Sequence, residues 1–197
     1  MATQVRVEPL TVDSLGDLEA LFATNRTTQG CYCTWFLGST RECHSGWGAA
    51  NRDRFNAIAA SSPHPLGLIA RRDGEPVGWC AAGPRDRYAR MLRSRLLSRR
   101  DPAEDSTVWL VTCFFVRRDA RRTGVTRSLL EGAARLAKRH GAPAIEGFPL
   151  AGDRRRSAGE AFVGVEPLFA ACGFTVIDRP TPARVLMRRD LRRSRTA

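Results

Sequence analysis

The stretch Val108–Arg127, with the sequence VWLVTCFFVRRDARRTGVTR, contains the feature on which the fold depends. Its first nine residues, Val108–Val116, are almost wholly apolar and rich in β-branched and aromatic side chains, which is typical of a buried strand. A short basic loop follows, and apolar residues then recur at helical spacing from Thr123 to His140. The segment therefore predicts a strand, a tight loop and a helix that begins directly after the loop.

The loop at residues 117–124 is a candidate anion site. The first amide groups of a helix have no acceptor within that helix, and the helix dipole adds positive potential at the same end. Gly124 allows a ligand to approach the backbone closely. Five arginines surround it, namely Arg117, Arg118, Arg121, Arg122 and Arg127. The loop has neither the Gly-Lys-Ser/Thr of a P-loop nor the three-glycine spacing of a dinucleotide fingerprint. The residues alone leave open a pyrophosphate site and a purely structural turn.

The rest of the chain alternates helical and strand patterns. A strand at Val5–Val7 precedes a helix that starts at Asp13 or Ser14. The further predicted elements are an irregular stretch at 26–48, a helix ending before Ser61, a hairpin over 66–82, an Arg-rich helix at 86–100, a strand at 144–148, a loop at 149–159, a helix near 160–172 and strands at 174–177 and 185–188. We therefore predict a single-domain α/β fold, with a mixed central β-sheet flanked by helices, over residues 1–190 and a basic tail at 191–197.

The net charge of +12, from 32 basic and 20 acidic residues, is concentrated in a few places. Residues 84–101 carry +5, residues 117–127 carry +4, residues 153–156 carry +2 and residues 188–197 carry +4. Because the rest of the chain is not basic, the sequence does not favour nucleic acid as a partner. The Arg-rich helix is open to two interpretations: a surface helix whose polar face is arginine, or a face for an acidic partner.

Several classes of protein are not favoured by the sequence. The first ten residues lack the pattern of a signal peptide, and the longest apolar stretch, at 108–116, is too short to cross a membrane. We therefore expect a cytoplasmic protein with no membrane partner, and we expect its six cysteines to be reduced thiols. Cys31, Cys33, Cys43 and His44 could supply four ligands, but their spacing is not one of the usual zinc spacings. We predict no metal site.

A family resemblance enters at the loop. The residues Arg121-Arg122-Thr123-Gly124-Val125-Thr126 resemble the acyl-CoA motif Q/R-x-x-G-x-G/A of the GNAT N-acetyltransferase superfamily, with Thr126 in the final small-residue position. The segments RRDGEPVGWC (71–80), EGFP (146–149) and LFAACGF (168–174) extend the resemblance, which is to a branch of small, actinobacterial-like proteins of that superfamily. It implies the GNAT fold and transfer of an acetyl group from acetyl-CoA, as cosubstrate, to a primary amine.

The resemblance also implies roles for particular residues. The backbone of the strand end, Phe114, Phe115 and Val116, would lie along the pantetheine arm, and the Phe114 N–H would polarise the thioester carbonyl. The amides of Arg122, Thr123, Gly124, Val125 and Thr126 would hold the pyrophosphate, with charge added by Arg121 and Arg127.

The catalytic groups are less defined by the resemblance. Phe169 stands where many members of the family have a tyrosine that protonates the leaving thiol, so a water, Tyr88, Tyr32 or Cys113 would have to replace it. Glu146 is our candidate base; the alternative is a structural ion pair. Tyr32 and Trp35, together with Glu146, are candidate contacts for the acceptor.

Three functions are compatible with these residues. The first is an acetyl-CoA-dependent acetyltransferase of a small-molecule amine that works by direct attack in a ternary complex. The second has a protein lysine or N-terminus as acceptor, and the third is a CoA-binding module without catalysis. We expect a monomer or a homodimer.

Overall fold

The computed structural model describes residues 5–152 and 160–192, and these form one seven-stranded sheet with helices on both faces. The strands are β1 (Arg6–Pro9), β2 (Gly67–Arg72), β3 (Glu75–Pro84), β4 (Trp109–Val116), β5 (Ala144–Gly147), β6 (Thr175–Thr181) and β7 (Arg184–Asp190). Their spatial order is β1-β2-β3-β4-β5-β7-β6, with β4 and β5 parallel and the other neighbours antiparallel. The prediction of a single-domain α/β fold with a mixed central sheet is confirmed.

The helices of the described residues cover both faces of this sheet. They are α1 (Leu15–Ala23), α2 (Arg26–Cys31), α3 (Thr40–Ser45), α4 (Ala49–Ser61), α5 (Ala89–Leu92), α6 (Val125–Arg139) and α7 (Glu166–Ala171). Helix α6, the longest, covers one face because its apolar side chains all point to the sheet and are buried. A Cβ at Gly78 would lie 2.7 Å from Val125 Cγ1, so a glycine in β3 permits this close packing. The opposite face is covered by α1 to α5.

The stretch at residues 26–48 is not irregular as predicted, because it contains α2 and α3. Both helices begin at strong N-caps. The Asn25 side chain accepts hydrogen bonds from the amides of Thr27 (2.9 Å) and Thr28 (3.3 Å). Ser39 and Glu42 form a reciprocal capping box. Such caps stabilise short helices that have little apolar periodicity. Hydrophobic periodicity alone therefore does not indicate α2 and α3.

The predicted Arg-rich helix at 86–100 is wrong. Only Ala89–Leu92 is α-helical there, with short 3₁₀ turns at Arg85–Arg87 and Arg95–Leu97. The second of these turns is capped by Ser94, whose side chain accepts a hydrogen bond from the Leu96 amide at 3.2 Å. The predicted helix near 160–172 is likewise reduced to α7, because Gly164 adopts a φ of +84° that a helix cannot contain.

The chain remains packed against the domain at Leu191, directly after β7. The Leu191 amide donates to the Pro143 carbonyl at 2.9 Å, and its side chain is buried in the core. The remainder of the predicted tail, from 193, and the basic block at 153–156 lie outside the described residues.

Candidate active site

The central feature of the sheet is a gap between β4 and β5. These parallel strands pair only at Trp109–Ile145, Leu110–Glu146 and Val111–Gly147. Beyond Val111 the two strands diverge, and the β3–β4 register shifts opposite Thr112, which marks a β-bulge. Among the strands that the structure describes, none therefore pairs with this edge of the last part of β4.

The backbone groups on this open edge can be assigned from the β3–β4 pairing. The Arg117 amide donates to the Val77 carbonyl of β3 at 2.9 Å. Because the backbone N–H and C=O groups of successive residues point to alternate sides of a strand, those of Phe114 and Val116 point to the gap. Those of Phe115 point to β3, so its backbone is not free to bind a pantetheine arm, and its ring packs 6.2 Å from the ring of Phe22.

The loop between β4 and α6 presents a run of free amides. Arg122 and Gly124 adopt positive φ angles of 63° and 84°, and such left-handed residues turn successive N–H groups toward one point. Within the described chain, the amides from Arg122 to Arg127 donate no hydrogen bond, and the first helical bond runs from Ser128 to Gly124. We call this run of free amides, from Arg122 to Arg127, the amide cradle. Its geometry fits an anion such as a pyrophosphate.

The arginines around the loop are mostly exposed, and several are held near it by polar contacts. Arg121 Nε donates to the Val116 carbonyl at 3.1 Å, on the open edge of β4. Arg117 binds Asp119 through two hydrogen bonds of 2.8 and 2.9 Å and lowers the pKa of that carboxyl. Arg127 pairs with Glu131 at 3.0 Å. Positive charge is thus placed beside the free amides.

Phe169 closes one face of the gap. Its ring is fully buried, with centroids 6.2 Å from Phe114 and 5.0 Å from Phe174. A Cβ at Gly147 would lie 2.3 Å from Phe169 Cε1, and one at Gly164 would lie 2.6 Å from its Cε2. The ring therefore reaches the point where β4 and β5 separate, and it brings no proton donor there.

Glu146 lies beside the closed end of the gap, but in a buried ion network. Its carboxylate is 3.1 Å from Arg85 Nη1 and 3.1 Å from Arg188 Nη1, and its side chain is 1% exposed. Burial raises the pKa of Glu146, while the two arginines oppose that rise. Because both carboxylate oxygens are occupied and no solvent reaches them, this geometry favours the structural ion pair and argues against our candidate base.

The two aromatic candidates for the acceptor site, Tyr32 and Trp35, lie in different parts of the core. Tyr32 packs against Phe22 at 5.1 Å, and its hydroxyl lies near Glu19 and Arg52, away from the gap. Burial raises the pKa of Tyr32 to about 12.

Trp35 is half-buried and packs against the core cluster that contains Phe36 and Phe148. The Arg90 guanidinium lies 4.0 Å from its ring centroid, and the ring of His44 packs edge-on against it at 5.5 Å. The structure therefore does not bring Tyr32 to the gap, whereas Trp35 borders the cluster of Phe36 and Phe148 on the sheet face opposite α6.

Tyr88 and Cys113, two of the side chains that could replace the missing tyrosine as proton donor, lie near or in β4. The Tyr88 hydroxyl has no hydrogen-bond partner in the described chain and lies near Thr112. Cys113 is half-buried, and its thiol contacts that of Cys33. This contact and burial raise the pKa of Cys33, whose sulfur also accepts from Trp79 Nε1 at 3.1 Å.

The cysteines of residues 31–43 lie in packed surroundings. Thr34 Oγ1 lies 3.5 Å from the Cys43 sulfur, and Asn51 donates to the Cys43 carbonyl at 2.8 Å. Across residues 5–152 and 160–192, no group of three or more His, Cys, Asp or Glu residues is arranged to hold a metal ion.

The sheet face opposite α6 carries an aromatic cluster that we did not predict from the sequence. Phe148 follows Glu146 by two positions, so both lie on the sheet face opposite α6. The Phe148 and Phe36 rings are 5.5 Å apart, and Phe162 lies 6.2 Å from Phe36. Because Phe148 lies two positions after Glu146 in the predicted strand, the sequence indicated that the two side chains share a face of the sheet. No local pattern indicated that Phe162 would join them.

Known proteins share this architecture. The PaiA N-acetyltransferase of Thermoplasma acidophilum, solved with coenzyme A, is 12% identical with a TM-score of 0.55, over 95% of this chain and 99% of that one. The putative acetyltransferase yncA of Salmonella typhimurium, solved with acetyl-CoA, is 15% identical with a TM-score of 0.57, over 98% and 96%. The ribosomal-protein-S18-alanine N-acetyltransferase of Escherichia coli is 12% identical with a TM-score of 0.53, over 98% and 97%.

The sequence itself gives a more specific result than these distant structures. A search of curated proteins finds no significant match. No helix in the part of the chain that the structure describes is long and apolar enough to cross a membrane. The model of the GNAT acetyltransferase family matches residues 32–154, which include the open edge of β4, the loop of free amides and β5. Since that match spans more than half of the chain and includes the amide cradle, the chain belongs to the GNAT family of acetyltransferases.

Proposed function

We propose that this acetyltransferase transfers the acetyl group of acetyl-CoA to a primary amine of a small molecule, by direct attack within a ternary complex. The observation that carries the proposal is the run of free amides from Arg122 to Arg127, next to the unpaired edge of β4. A pyrophosphate satisfies the first feature and the pantetheine arm satisfies the second. The two lie end to end, as the two parts of one CoA molecule require.

The backbone of this chain supplies the binding groups. The amides of Arg122 to Thr126 hold the pyrophosphate, while Arg121 and Arg127 add positive charge beside it. The Val116 amide, pointing into the gap, pairs with the pantetheine arm like a neighbouring strand. Arg121, which now binds the Val116 carbonyl, has to release it for the arm to pair there.

Phe114 supplies the catalytic group. Its N–H points into the gap and polarises the thioester carbonyl, which lowers the barrier to attack by an amine. The buried strand holds this donor in place before the substrate arrives, so little reorganisation is needed. Because Glu146 is occupied by Arg85 and Arg188, we do not assign it the role of base.

The shape of the gap supports a small acceptor over a folded protein. Gly164 lies against the rings of Phe169 and Phe114, so the segment 161–164 narrows one side of the gap. A small amine needs less space there than a lysine presented on a protein surface. The family itself does not decide the acceptor, since its relatives above include one named for a ribosomal protein.

A CoA-binding module without catalysis is the second candidate. Two observations favour it: Phe169 brings no hydroxyl to the gap, and the only carboxylate on β5 is held in an ion pair. The two functions share the cofactor cradle and differ only in turnover.

Two measurements test the proposal. Calorimetry with acetyl-CoA should give saturable binding with a Kd well below about 1 mM; the absence of such binding would remove both candidates. A panel of amines, followed by release of free thiol, should then show turnover, whereas binding without turnover would leave the non-catalytic module.

Glu146→Gln is the informative variant for the mechanism. Its folded fraction should retain kcat, because the native carboxylate is not free to take a proton. A loss of turnover with unchanged acetyl-CoA binding and unchanged folding would restore Glu146 as the base.

A further inference from the structure

A cleft that is separate from the gap between β4 and β5 lies among α1, α2 and the start of α4. It has a volume of about 520 Å³, and none of its lining residues belongs to β4, β5 or the amide cradle. Four of the lining residues have little or no side chain, namely Ala23, Gly30, Gly48 and Ala49. We call this space the Trp47 cleft, after the largest side chain that lines it.

Trp47 supplies an aromatic surface that is open to solvent and yet fixed in place. The residue is 50% exposed. A Cβ at Gly30 would overlap the indole ring, so the ring rests directly on the backbone of α2. The ring of His44 stacks on the indole, with centroids 6.2 Å apart and an angle of 23°. Because the indole is already held in one orientation, a ligand that stacks on it pays little to order it.

The walls of the cleft are also tied to each other. The Asn51 side chain is buried and donates to the carbonyl of Gly30 at 2.9 Å and to that of Cys43 at 2.8 Å. The Gly48 amide donates to the same Gly30 carbonyl at 2.9 Å. These bonds join α2 to the start of α4, so the cleft is formed before a ligand arrives, as is usual for small-molecule sites.

The charged side chains of the cleft favour an anion. Arg52 lies 3.1 Å from Glu19 through Nη1 and 3.1 Å from Asp53 through Nε, which compensates the charge of Glu19. Arg26 is exposed, and its side chain forms no ion pair or hydrogen bond with any residue in 5–152 or 160–192. Among the described residues that line the cleft, the one carboxylate is thus paired, while one guanidinium remains for a ligand carboxylate.

Tyr32 adds a buried polar group to the same cleft. The residue lines the cleft but is only 3% exposed. Its hydroxyl lies near Glu19 and Arg52 and has no hydrogen-bond partner in the described chain. A buried hydroxyl without a partner is uncommon, because it has lost its hydrogen bonds to water. A polar atom of a ligand at this end of the cleft would supply the missing partner.

We propose that the Trp47 cleft is a second ligand site, which binds a molecule with a flat aromatic body and a single carboxylate. The aromatic body stacks on Trp47, and the carboxylate pairs with Arg26. The inference does not depend on the proposed acetyl transfer, since the cleft shares no residue with the amide cradle or with the open edge of β4.

The test uses phenylacetate as the probe and two matched compounds as comparisons. Acetate lacks the ring, and phenylacetamide has the same shape as phenylacetate without its charge. Calorimetry should give a Kd for phenylacetate below about 1 mM, and binding of both comparison compounds should be at least about tenfold weaker. Saturating acetyl-CoA should leave the affinity for phenylacetate within about twofold. Absence of phenylacetate binding, equal affinity for phenylacetamide, or displacement by acetyl-CoA overturns the inference.

Two variants locate the binding in the cleft. Trp47→Ala should weaken phenylacetate binding by about tenfold or more, because it removes the stacking surface. Arg26→Gln should weaken it by about five- to tenfold and leave phenylacetamide within about twofold, because only the charge-assisted contact is lost. Both side chains are exposed, so the fold should be retained, which circular dichroism checks.

Matched controls come from exposed residues outside the cleft. Ile177→Ala removes an apolar side chain that is 49% exposed, and Arg93→Gln removes an exposed guanidinium. Neither should change the affinity for phenylacetate by more than about twofold. Binding that survives both Trp47→Ala and Arg26→Gln, or that the control variants weaken equally, overturns the assignment to this cleft.

Discussion

The segments 84–101 and 117–127 carry similar positive charge, +5 and +4, but their arginines have different surroundings. In the first segment, Arg85 is 1% exposed and contacts Glu146, Asp105 and Glu104. In the second segment, Arg118 and Arg122 are exposed and surround amides that have no acceptor of their own. The charge of Arg85 is neutralised inside the fold, whereas the charges of Arg118 and Arg122 remain exposed beside these amides.

Two other arginines of residues 84–101 are also held by contacts within the fold, and two are not. Arg87 donates to the carbonyls of Pro65 (2.8 Å) and His64 (3.0 Å), and Arg100 binds Asp105 at 3.0 Å. Arg93 and Arg95 are exposed and form no ion pair or hydrogen bond with any residue in 5–152 or 160–192.

The comparison shows that net charge along a sequence does not identify a binding surface. A guanidinium group is neutralised by acceptors that come from distant parts of the chain, and their approach depends on tertiary structure. The two interpretations of residues 84–101, a surface face and a face for an acidic partner, are thus both replaced for Arg85, Arg87 and Arg100 by internal contacts.

The strongest test of this contrast is Arg85→Leu. The change should lower the free energy of unfolding by about 3–5 kcal/mol, because it removes the buried arginine that pairs with Glu146 and Asp105 and leaves Glu146 with Arg188 alone. Urea denaturation followed by circular dichroism measures the loss. Arg93→Ala, in the same segment but exposed, should change stability by less than about 0.5 kcal/mol. Equal effects for the two variants would remove the distinction between buried and exposed arginines.

The second test concerns the amide cradle and uses Gly124→Ala. An alanine at a φ of +84° costs about 1–2 kcal/mol, so the loop should shift, and affinity for acetyl-CoA should fall about tenfold. Gly74→Ala is a matched control, since Gly74 has the same φ of +84° and open space around it, but lies in the β2–β3 turn. It should lose similar stability and keep full affinity. Equal losses of affinity in both variants would contradict the cradle.

The smallest expected effect is on the pH dependence of the ion network, through Glu104. A hydrogen bond from Arg188 lowers the pKa of Glu104, so its contribution to stability is present above about pH 4.5 and is lost as the pH falls through the lower pKa of the folded state. Burial raises the pKa of Glu146, so its contribution has the opposite sign and decreases as the pH rises through that pKa.

Glu104→Gln isolates the first of these contributions. Between pH 7 and pH 3 the variant should lose less stability than the wild type, by about 1 kcal/mol or less because Glu104 is partly exposed. Denaturation midpoints across this range measure the difference. Glu75→Gln, on the exposed β2–β3 turn, should follow the wild-type curve, and an identical curve for Glu104→Gln would show that the network is not involved.

Local sequence patterns predicted the parts of the molecule whose structure depends on near neighbours. The apolar run at 108–116, Gly124 and the helical periodicity that follows specify strand, loop and helix, and with them the position of the free amides. The caps at Asn25 and Ser39 also depend on near neighbours in the sequence, although hydrophobic periodicity does not indicate them. These features depend on backbone conformation and on contacts within a few residues.

The sequence by itself determined strand β4, helix α6 and the loop of free amides between them, because hydrophobic periodicity and a left-handed glycine act locally. Only the tertiary structure decided what the charged and aromatic side chains do. Glu146 became an ion-pair partner because Arg188 comes from the neighbouring strand β7 and Arg85 from the 3₁₀ turn that follows β3. The aromatic cluster on the sheet face opposite α6 formed because Phe36, Phe148 and Phe162, which lie in different segments of the chain, meet there. Burial and charge compensation depend on which distant segments come together, and no local pattern records that.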